Sequence, residues 1–539
     1  MNVLHSNGNV ATEWSLNGCR KHKDPWGEIE VSALITGTNG FKRKLPLFWA
    51  GGSEWRLRVS VSVPGKYKLK TECSDKSDKG LHGKEATLVV TGNPDESNPL
   101  FKHGPVRVTK DAKFAHEDGT PFFWLGDTWW MMMSNRVRWP DDFTTLTRNR
   151  VSRGFTVAQV VLGFAPDLAT DDPRNGNEGG VPWEPDMRRI NPRYFDVCDQ
   201  RIQTMIREGL MPCILGSWGY HLLKIGEDRM VKHWRYLVAR YSAWPVVWSL
   251  AGEGAMCYYL SKDRDGDTEK QRAAWSRISK IVRNFDPYKR PLSIHPRRTS
   301  WDDLEDSSSL DYNMLQPGHM RSALSLGVSC IEDGRSKFPQ KPVVNAEPPY
   351  EGHMGTNGPE IQRFTFWSSI LSGAAGFTYG AAGIFQANDR ERPTGDRPGG
   401  GAFDVTTWDE AISFPGAEDL GKGKSLLMEM PWHKFEPHPE WATTSVKWGI
   451  EAYDPPLRTY CAGVPKVCRV VYVPRRYWHW DGAIIHGIEK GVRYRAFYVD
   501  PDRFTRYDLG IVKPDSKGDW QAPNTPYLME WLIVLKREA

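Results

Sequence analysis

The chain has 539 residues, 39% hydrophobic and 25% charged, with 71 Lys and Arg against 66 Asp and Glu for a net charge of +5. That length suggests about three domains, and the composition excludes a disordered or fibrous chain. The charges form no basic stripe and no run reaches the roughly 18 apolar residues of a spanning helix, so neither nucleic acid nor membrane is an expected partner.

At the N-terminus, Met1 to Trp14 shows no basic stretch followed by an apolar one, and a cytoplasmic location is the expectation. From Thr12 to about Pro94 come short alternating segments, EIEVSALITG, WRLRVSVSVPG, KYKLKTECS and ATLVVTG, separated by turn residues. They predict a small antiparallel β-sandwich over residues 1–98, closed by a linker at Asn93–Pro99. From about Gly104 the rhythm changes to strands separated by helical stretches such as Pro192–Glu208 and Arg229–Tyr241. Eight candidate strands follow: PFFWLGD, TVAQVVLG, LMPCILGSW, PVVWSLAGE, RPLSIHP, DYNMLQPGH, KPVVNAE and AAGFTYG. The count and size predict a (β/α)8 TIM barrel over residues 99–436, with only a short helix between the fifth and sixth strands. The Gly-, Pro- and Arg-rich segment Gln386–Gly401 reads as an active-site loop able to close over a ligand. Beyond Phe435–Pro439 the pattern returns to short strands, a second antiparallel β-sandwich over 437–539.

Eight Cys show no CxxC pair and no zinc spacing, and reduced, buried thiols are the expectation; Cys461 and Cys468 bracket a hairpin and are the one candidate pair. The run Asp263, Asp265, Gly266, Asp267 resembles a calcium loop, but its Gly falls too early and no Glu closes it, so a solvated loop is the better reading. No metal site and no cofactor is expected, and GxSxG, HExxH, Walker and GxGxxG motifs are all missing. The 24 Trp fit stacking on sugar C–H faces, although core packing explains Trp equally well.

In a TIM barrel the chemistry sits at the C-terminal strand ends. Two carboxylates close apolar strands there, Glu253 on the fourth and Glu347 on the seventh, three βα units of roughly 30 residues apart and facing each other across the mouth. Glycosidic cleavage needs one carboxylic acid to protonate the leaving oxygen and one carboxylate to attack the anomeric carbon or activate water. Trp248 and Met256 suggest an apolar setting for Glu253 that would raise its pKa. The alternative is that either Glu is a buried salt-bridge partner. Asp127, beside Trp129 and Trp130, is a candidate for sugar hydroxyls or, equally, a helix cap. Gln159, Trp218, Tyr220, His295, Gln316, His319 and Tyr379 close further strands and are candidate lining of a polyol pocket.

The segments HEDGTPFFWLGDTWW, NEGGVPWEPDMRRINPRYFDVCDQRI, HWRYLVARYSAWPVVWSLAGE, KPVVNAEPPYEG and LSGAAGFTYGAAGIFQ together resemble the apiosidase-like glycoside hydrolases, a group with a clan A type barrel. EWSL, LPLFWAGGSEWRLRV, KYKLKTECSD and GLHG resemble the β-sandwich that precedes this barrel, and the tail resembles a sandwich termed a collagen-binding module in such proteins, a label that carries no function here. The resemblance implies a retaining mechanism with Glu253 as acid/base and Glu347 as nucleophile. The pattern departs in two places: Gly252 stands where clan A barrels usually have Asn, and Glu253 stands where the apiosidases carry Asp. The expected activity is retaining, exo-acting hydrolysis of a plant-type or other complex glycan, oligosaccharide or glycoside; an inverting hydrolase and a non-catalytic carbohydrate-binding protein are the rivals.

Overall fold

A computed structural model describes residues 2–92, 97–444, 457–475 and 482–538. Residues 93–96 of the expected linker lie outside the described residues. The centre of the chain is a parallel eight-stranded sheet: β1 (Trp124–Trp129), β2 (Val157–Phe164), β3 (Met211–Ser217), β4 (Val247–Ser249), β5 (Leu292–Ser293), β6 (Asn313–Leu315), β7 (Val343–Asn345) and β8 (Gly376–Tyr379). All eight expected strands form. Their order, β5-β4-β3-β2-β1-β8-β7-β6, brings the edges β5 and β6 together, where Asp311 N–H donates to the Leu292 carbonyl at 2.8 Å and closes the barrel. The strands are buried on both faces, which is why they read as near-continuous apolar runs.

Helices cover the outside: α1 (Asp141–Ser152), α2 (Pro192–Arg207), α3 (Glu227–Tyr241), α4 (Arg264–Phe285), α5 (Ala323–Ser336), α6 (Pro359–Leu371) and α7 (Pro415–Met428). The short helix expected between β5 and β6 does not form. The chain crosses there in turns held by side chains, with Asp303 Oδ2 accepting from Ala255 N–H and Arg297 N–H, both at 3.0 Å. Asp263 caps α4, accepting from Gly266 N–H at 3.1 Å, so the run that resembles a calcium loop is a helix start.

Before the barrel lie a five-stranded and a three-stranded sheet. In Gly65–Cys73 the alternate residues Tyr67, Leu69, Thr71 and Cys73 are buried, the period of two that marked it as a strand. The structure adds one strand ahead of the expected start: Asn2–Asn7 pairs in parallel with residues 86–91. After the barrel come a six-stranded and a three-stranded sheet. There Val464 pairs with Cys468 while Cys461 pairs with Val471, so the two thiols point to opposite faces of the hairpin, and both are free. The candidate disulfide is therefore incorrect. Among the described residues no helix is long and apolar enough to cross a membrane.

Buried ion pairs dock both flanking sheet pairs. Arg58 donates to Asp199 Oδ1 on α2 at 3.1 Å and to the Arg240 carbonyl on α3 at 2.9 Å. Arg363 on α6 donates to Asp419 Oδ2 on α7 at 2.7 Å and to Glu530 Oε1 at 2.6 Å, while Tyr472 donates to the other Glu530 oxygen. Removing one partner of such a buried set strands the others without compensation, at about 3–5 kcal/mol. Arg363→Met is expected to lose that much stability, read as a lowered Tm in thermal unfolding; an unchanged Tm would contradict the assignment of this joint.

Candidate active site

At the end of β4 the chain turns sharply. Gly252 has no room for a side chain, since a Cβ there would lie 2.1 Å from the Trp218 ring. Glu253 follows at φ 44, a left-handed conformation that non-glycine residues rarely adopt. The turn is stitched to its neighbours: Gly252 N–H donates to the Ser217 carbonyl at 3.0 Å and Gly254 N–H to the His295 carbonyl at 3.1 Å. The Glu253 carboxylate accepts from Trp218 Nε1 at 3.0 Å and from Gln316 Nε2 at 2.8 Å. Its desolvated position, with the negative charge of Glu347 nearby, pushes its pKa up to about 8 against those two donors.

Glu347, two residues beyond β7, is 5% exposed. Its Oε1 accepts from the same Gln316 Nε2 at 3.2 Å and from His319 Nε2 at 3.1 Å, and His295 Nε2 lies 3.2 Å from Oε2. Tyr350 N–H donates to His319 Nδ1 at 3.4 Å, which places the His319 proton on Nε2, facing Glu347. Burial alone would raise the Glu347 pKa; the interactions with the His295 and His319 rings outweigh it and bring it to about 2. Because one nitrogen reaches both carboxylates, the bonded oxygens of Glu253 and Glu347 are separated by at most about 6 Å, the length of the two bonds end to end.

Of the residues singled out by sequence, Glu253, Glu347, Trp218, His295, Gln316, His319 and Trp130 converge. Trp130 packs edge-on against Trp218 at 5.2 Å and His295 at 5.1 Å. Gln159 lies below, its Nε2 donating to the Ala346 carbonyl across the barrel at 2.9 Å. Other expected residues do not reach the site. Asp127 is 0% exposed and faces the helices, paired with Arg150 Nε at 2.7 Å and Trp129 Nε1 at 2.8 Å. Trp129 therefore packs outward too, against Phe143 of α1. Tyr379 also points outward and donates to Glu351 Oε2 at 2.6 Å. Trp248 lies outside the barrel, donating to Asp286 at 2.9 Å, so it does not desolvate Glu253. Tyr220 sits one layer back, its hydroxyl donating to the Leu168 carbonyl at 2.9 Å.

Sequence reasoning missed the loop residues. Tyr259 donates to Asp167 Oδ1 at 2.5 Å, and His353 Nδ1 lies 2.6 Å from Asp404 Oδ2. Arg397, from the segment expected to be an active-site loop, lies over the Phe403 ring at 4.2 Å and the Tyr259 ring at 5.9 Å, while Phe403 packs on His353 and His353 on His319. Periodicity carries no information about such loops. Only the position of Tyr350 and His353 just past a strand-end Glu would have flagged them.

The apiosidase-like catalytic-domain model matches residues 109–434, more than half of the chain. The chain belongs to the apiosidase-like family. It is a glycoside hydrolase, as the matched catalytic domain and the barrel together establish. Two solved structures are similar over most of this apiosidase-like chain. One, a glycoside hydrolase, has 21% identity and a TM-score of 0.62, covering 81% of this chain and 98% of its own. The other, a glycoside hydrolase family 5 protein from Bacteroides vulgatus, has 22% identity and a TM-score of 0.63, covering 83% and 95%. At these identities the likeness establishes the fold. No similar curated protein is found.

The contact between Gly252 and Trp218 makes a prediction for the apiosidase-like site. Gly252→Ala should displace the indole and release its hydrogen bond to Glu253, lowering kcat/KM by about 10²-fold, as misplacement near 1 Å does. Steady-state kinetics with circular dichroism as a folding control would check it, and unchanged kinetics would show that the indole does not hold Glu253.

Proposed function

We propose that this enzyme is a retaining, exo-acting glycoside hydrolase that removes a terminal sugar from a plant-type or other complex glycan, or from an oligosaccharide or glycoside. The observation that carries the reading is the opposed state of the two carboxylates bridged by Gln316: Glu253 with its pKa pushed up to about 8 and Glu347 with its pKa near 2. At neutral pH the first holds a proton and the second is ionised, the division of labour that double displacement needs. Glu347 attacks the anomeric carbon as the glycosidic C–O bond breaks, and the leaving oxygen takes the proton of Glu253. Water then gives a proton to Glu253 and adds to the anomeric carbon, releasing Glu347.

The shared amide favours this course over inversion. Inverting pairs stand roughly 6.5–9.5 Å apart to admit a water, whereas retaining pairs stand about 5–5.5 Å apart. Exo action is supported by the enclosure of Glu347, walled by His319, which is backed in turn by His353 and Phe403. Such a recess suits a chain end better than the middle of a chain.

A panel of aryl apiosides, arabinosides, rhamnosides, galactosides and glucosides tests the reading. Glu253→Ala is expected to lose about 10²–10⁴-fold in rate, Glu347→Ala to lose turnover, and azide to restore each as a glycosyl azide, of retained configuration from Glu253→Ala and inverted from Glu347→Ala. Full activity in Glu253→Gln would remove Glu253 from the acid/base role, and a wild type that hydrolyses no member of the panel would leave the carbohydrate-binding reading standing.

The pH profile follows from the same states. Glu253 must be protonated to donate, so kcat/KM should fall as pH rises through about 8, while Glu347 stays ionised above about 2. The Trp218 hydrogen bond stabilises the ionised form of Glu253. Trp218→Phe should therefore raise the Glu253 pKa and move the alkaline limb to higher pH; a limb that stays in place would remove Glu253 from the acid role.

A further inference from the structure

Only two carboxylate residues among the described residues adopt a left-handed backbone: Glu253 at φ 44 and Asp167 at φ 59. Such conformations persist where surrounding structure enforces them, and they cluster at functional sites. Asp167 lies beyond β2 and is 7% exposed. Three loops that end adjacent strands hold it. Its neighbour Leu168 is bonded through its carbonyl to the Tyr220 hydroxyl beyond β3, and its Oδ1 accepts from Tyr259 beyond β4 at 2.5 Å. Its Oδ2 accepts no hydrogen bond from the described residues and is not sealed among the buried atoms, so it is open to a ligand entering the barrel mouth. Asp167 is also near enough to Glu253 and Glu347 for its charge to act on both, with Arg397 and His353 nearby. In the turn that carries Glu253, the preceding Gly252 has no side chain and Trp218 fills the space one would occupy, so that position offers no side chain to a sugar.

We infer that Asp167 is a sugar-binding residue, whose free Oδ2 accepts a hydrogen bond from a ring hydroxyl close to the bond being cleaved, with Tyr259 fixing its orientation. The inference rests on the proposed glycosidase reading and deepens it. The ligand class is a sugar with a hydroxyl beside the anomeric carbon, where hydrogen bonds strengthen as the transition state forms.

The test separates binding from catalysis. Wild type, Asp167→Asn, Asp167→Ala and Tyr259→Phe are titrated with free xylose, arabinose, rhamnose, galactose, glucose and apiose and with their 2-deoxy forms where these exist, followed by tryptophan fluorescence. Circular dichroism controls for folding. At least one sugar should bind the wild type. Asp167→Ala should weaken its Kd by at least about tenfold, the scale of one hydrogen bond to a charged group, and Asp167→Asn should weaken it less, because the amide oxygen still accepts. Removing the 2-hydroxyl should cost affinity in the wild type and little more in Asp167→Ala. An unchanged Kd in folded Asp167→Ala, or a full deoxy penalty in that variant, overturns the assignment, as does a wild type that binds none of the sugars. If azide rescue of Glu253→Ala and Glu347→Ala succeeds while Asp167→Ala binds normally, only this inference fails; if rescue fails, the glycosidase reading fails first.

Discussion

One amide nitrogen, Nε2 of Gln316, gives one hydrogen to Glu253 and one to Glu347, and the chemistry of the site depends on that shared donor. Two buried carboxylates this close cannot both be ionised cheaply, because each charge raises the other's pKa. Gln316 stands nearer Glu253, at 2.8 Å against 3.2 Å, and by itself would favour ionisation of that residue. The choice is made by the rest of the surroundings: Glu347 has two histidines against it, whereas Glu253 has an indole N–H and a negative neighbour. The asymmetry of the site is therefore an asymmetry of donors, set by which strand ends carry His and which carry Trp.

The barrel delivers these groups by strand alternation. Along β1 and just past it, Trp124, Thr128 and Trp130 face inward, and Leu125, Asp127 and Trp129 face the helices. Trp124 Nε1 donates across to Thr378, Thr128 to the Tyr379 carbonyl, and Trp130 meets His295. On the other face Asp127 holds Arg150. A polar residue at a strand end thus has two destinations, and one step along the strand exchanges them.

The flanking sheets are fastened to the helices by buried charge as well as by apolar contact. Arg58 joins Asp199, and Arg363 joins Asp419 and Glu530, in sets where each carboxylate is met by a guanidinium. Such joints add less net stability than their Coulomb attraction suggests, since both charges must leave water. They tolerate little misalignment, however, and the Phe48 ring, within 4.9 Å of both the Arg58 and Arg240 guanidiniums, adds an apolar contact to the same joint.

By itself the sequence determined the architecture, and it marked the two carboxylates proposed here as the catalytic pair. Each barrel strand is an apolar run of the right length, and the periods of two and 3.6 mark what lies between and around them. Glu253 and Glu347 were legible because a carboxylate closing an apolar strand is costly unless it has work to do. Tertiary structure alone decided which way Asp127, Trp129 and Tyr379 point, because alternation can be counted along a strand but not anchored to a face without knowing what packs there. It also decided that Cys461 and Cys468 stand on opposite faces, that β5 and β6 are joined without a helix, and that Asp167, Tyr259, His353 and Arg397 gather at the mouth. Those four lie on loops with no repeating period, and only closure of the barrel brings separate strand ends within hydrogen-bonding and packing distance.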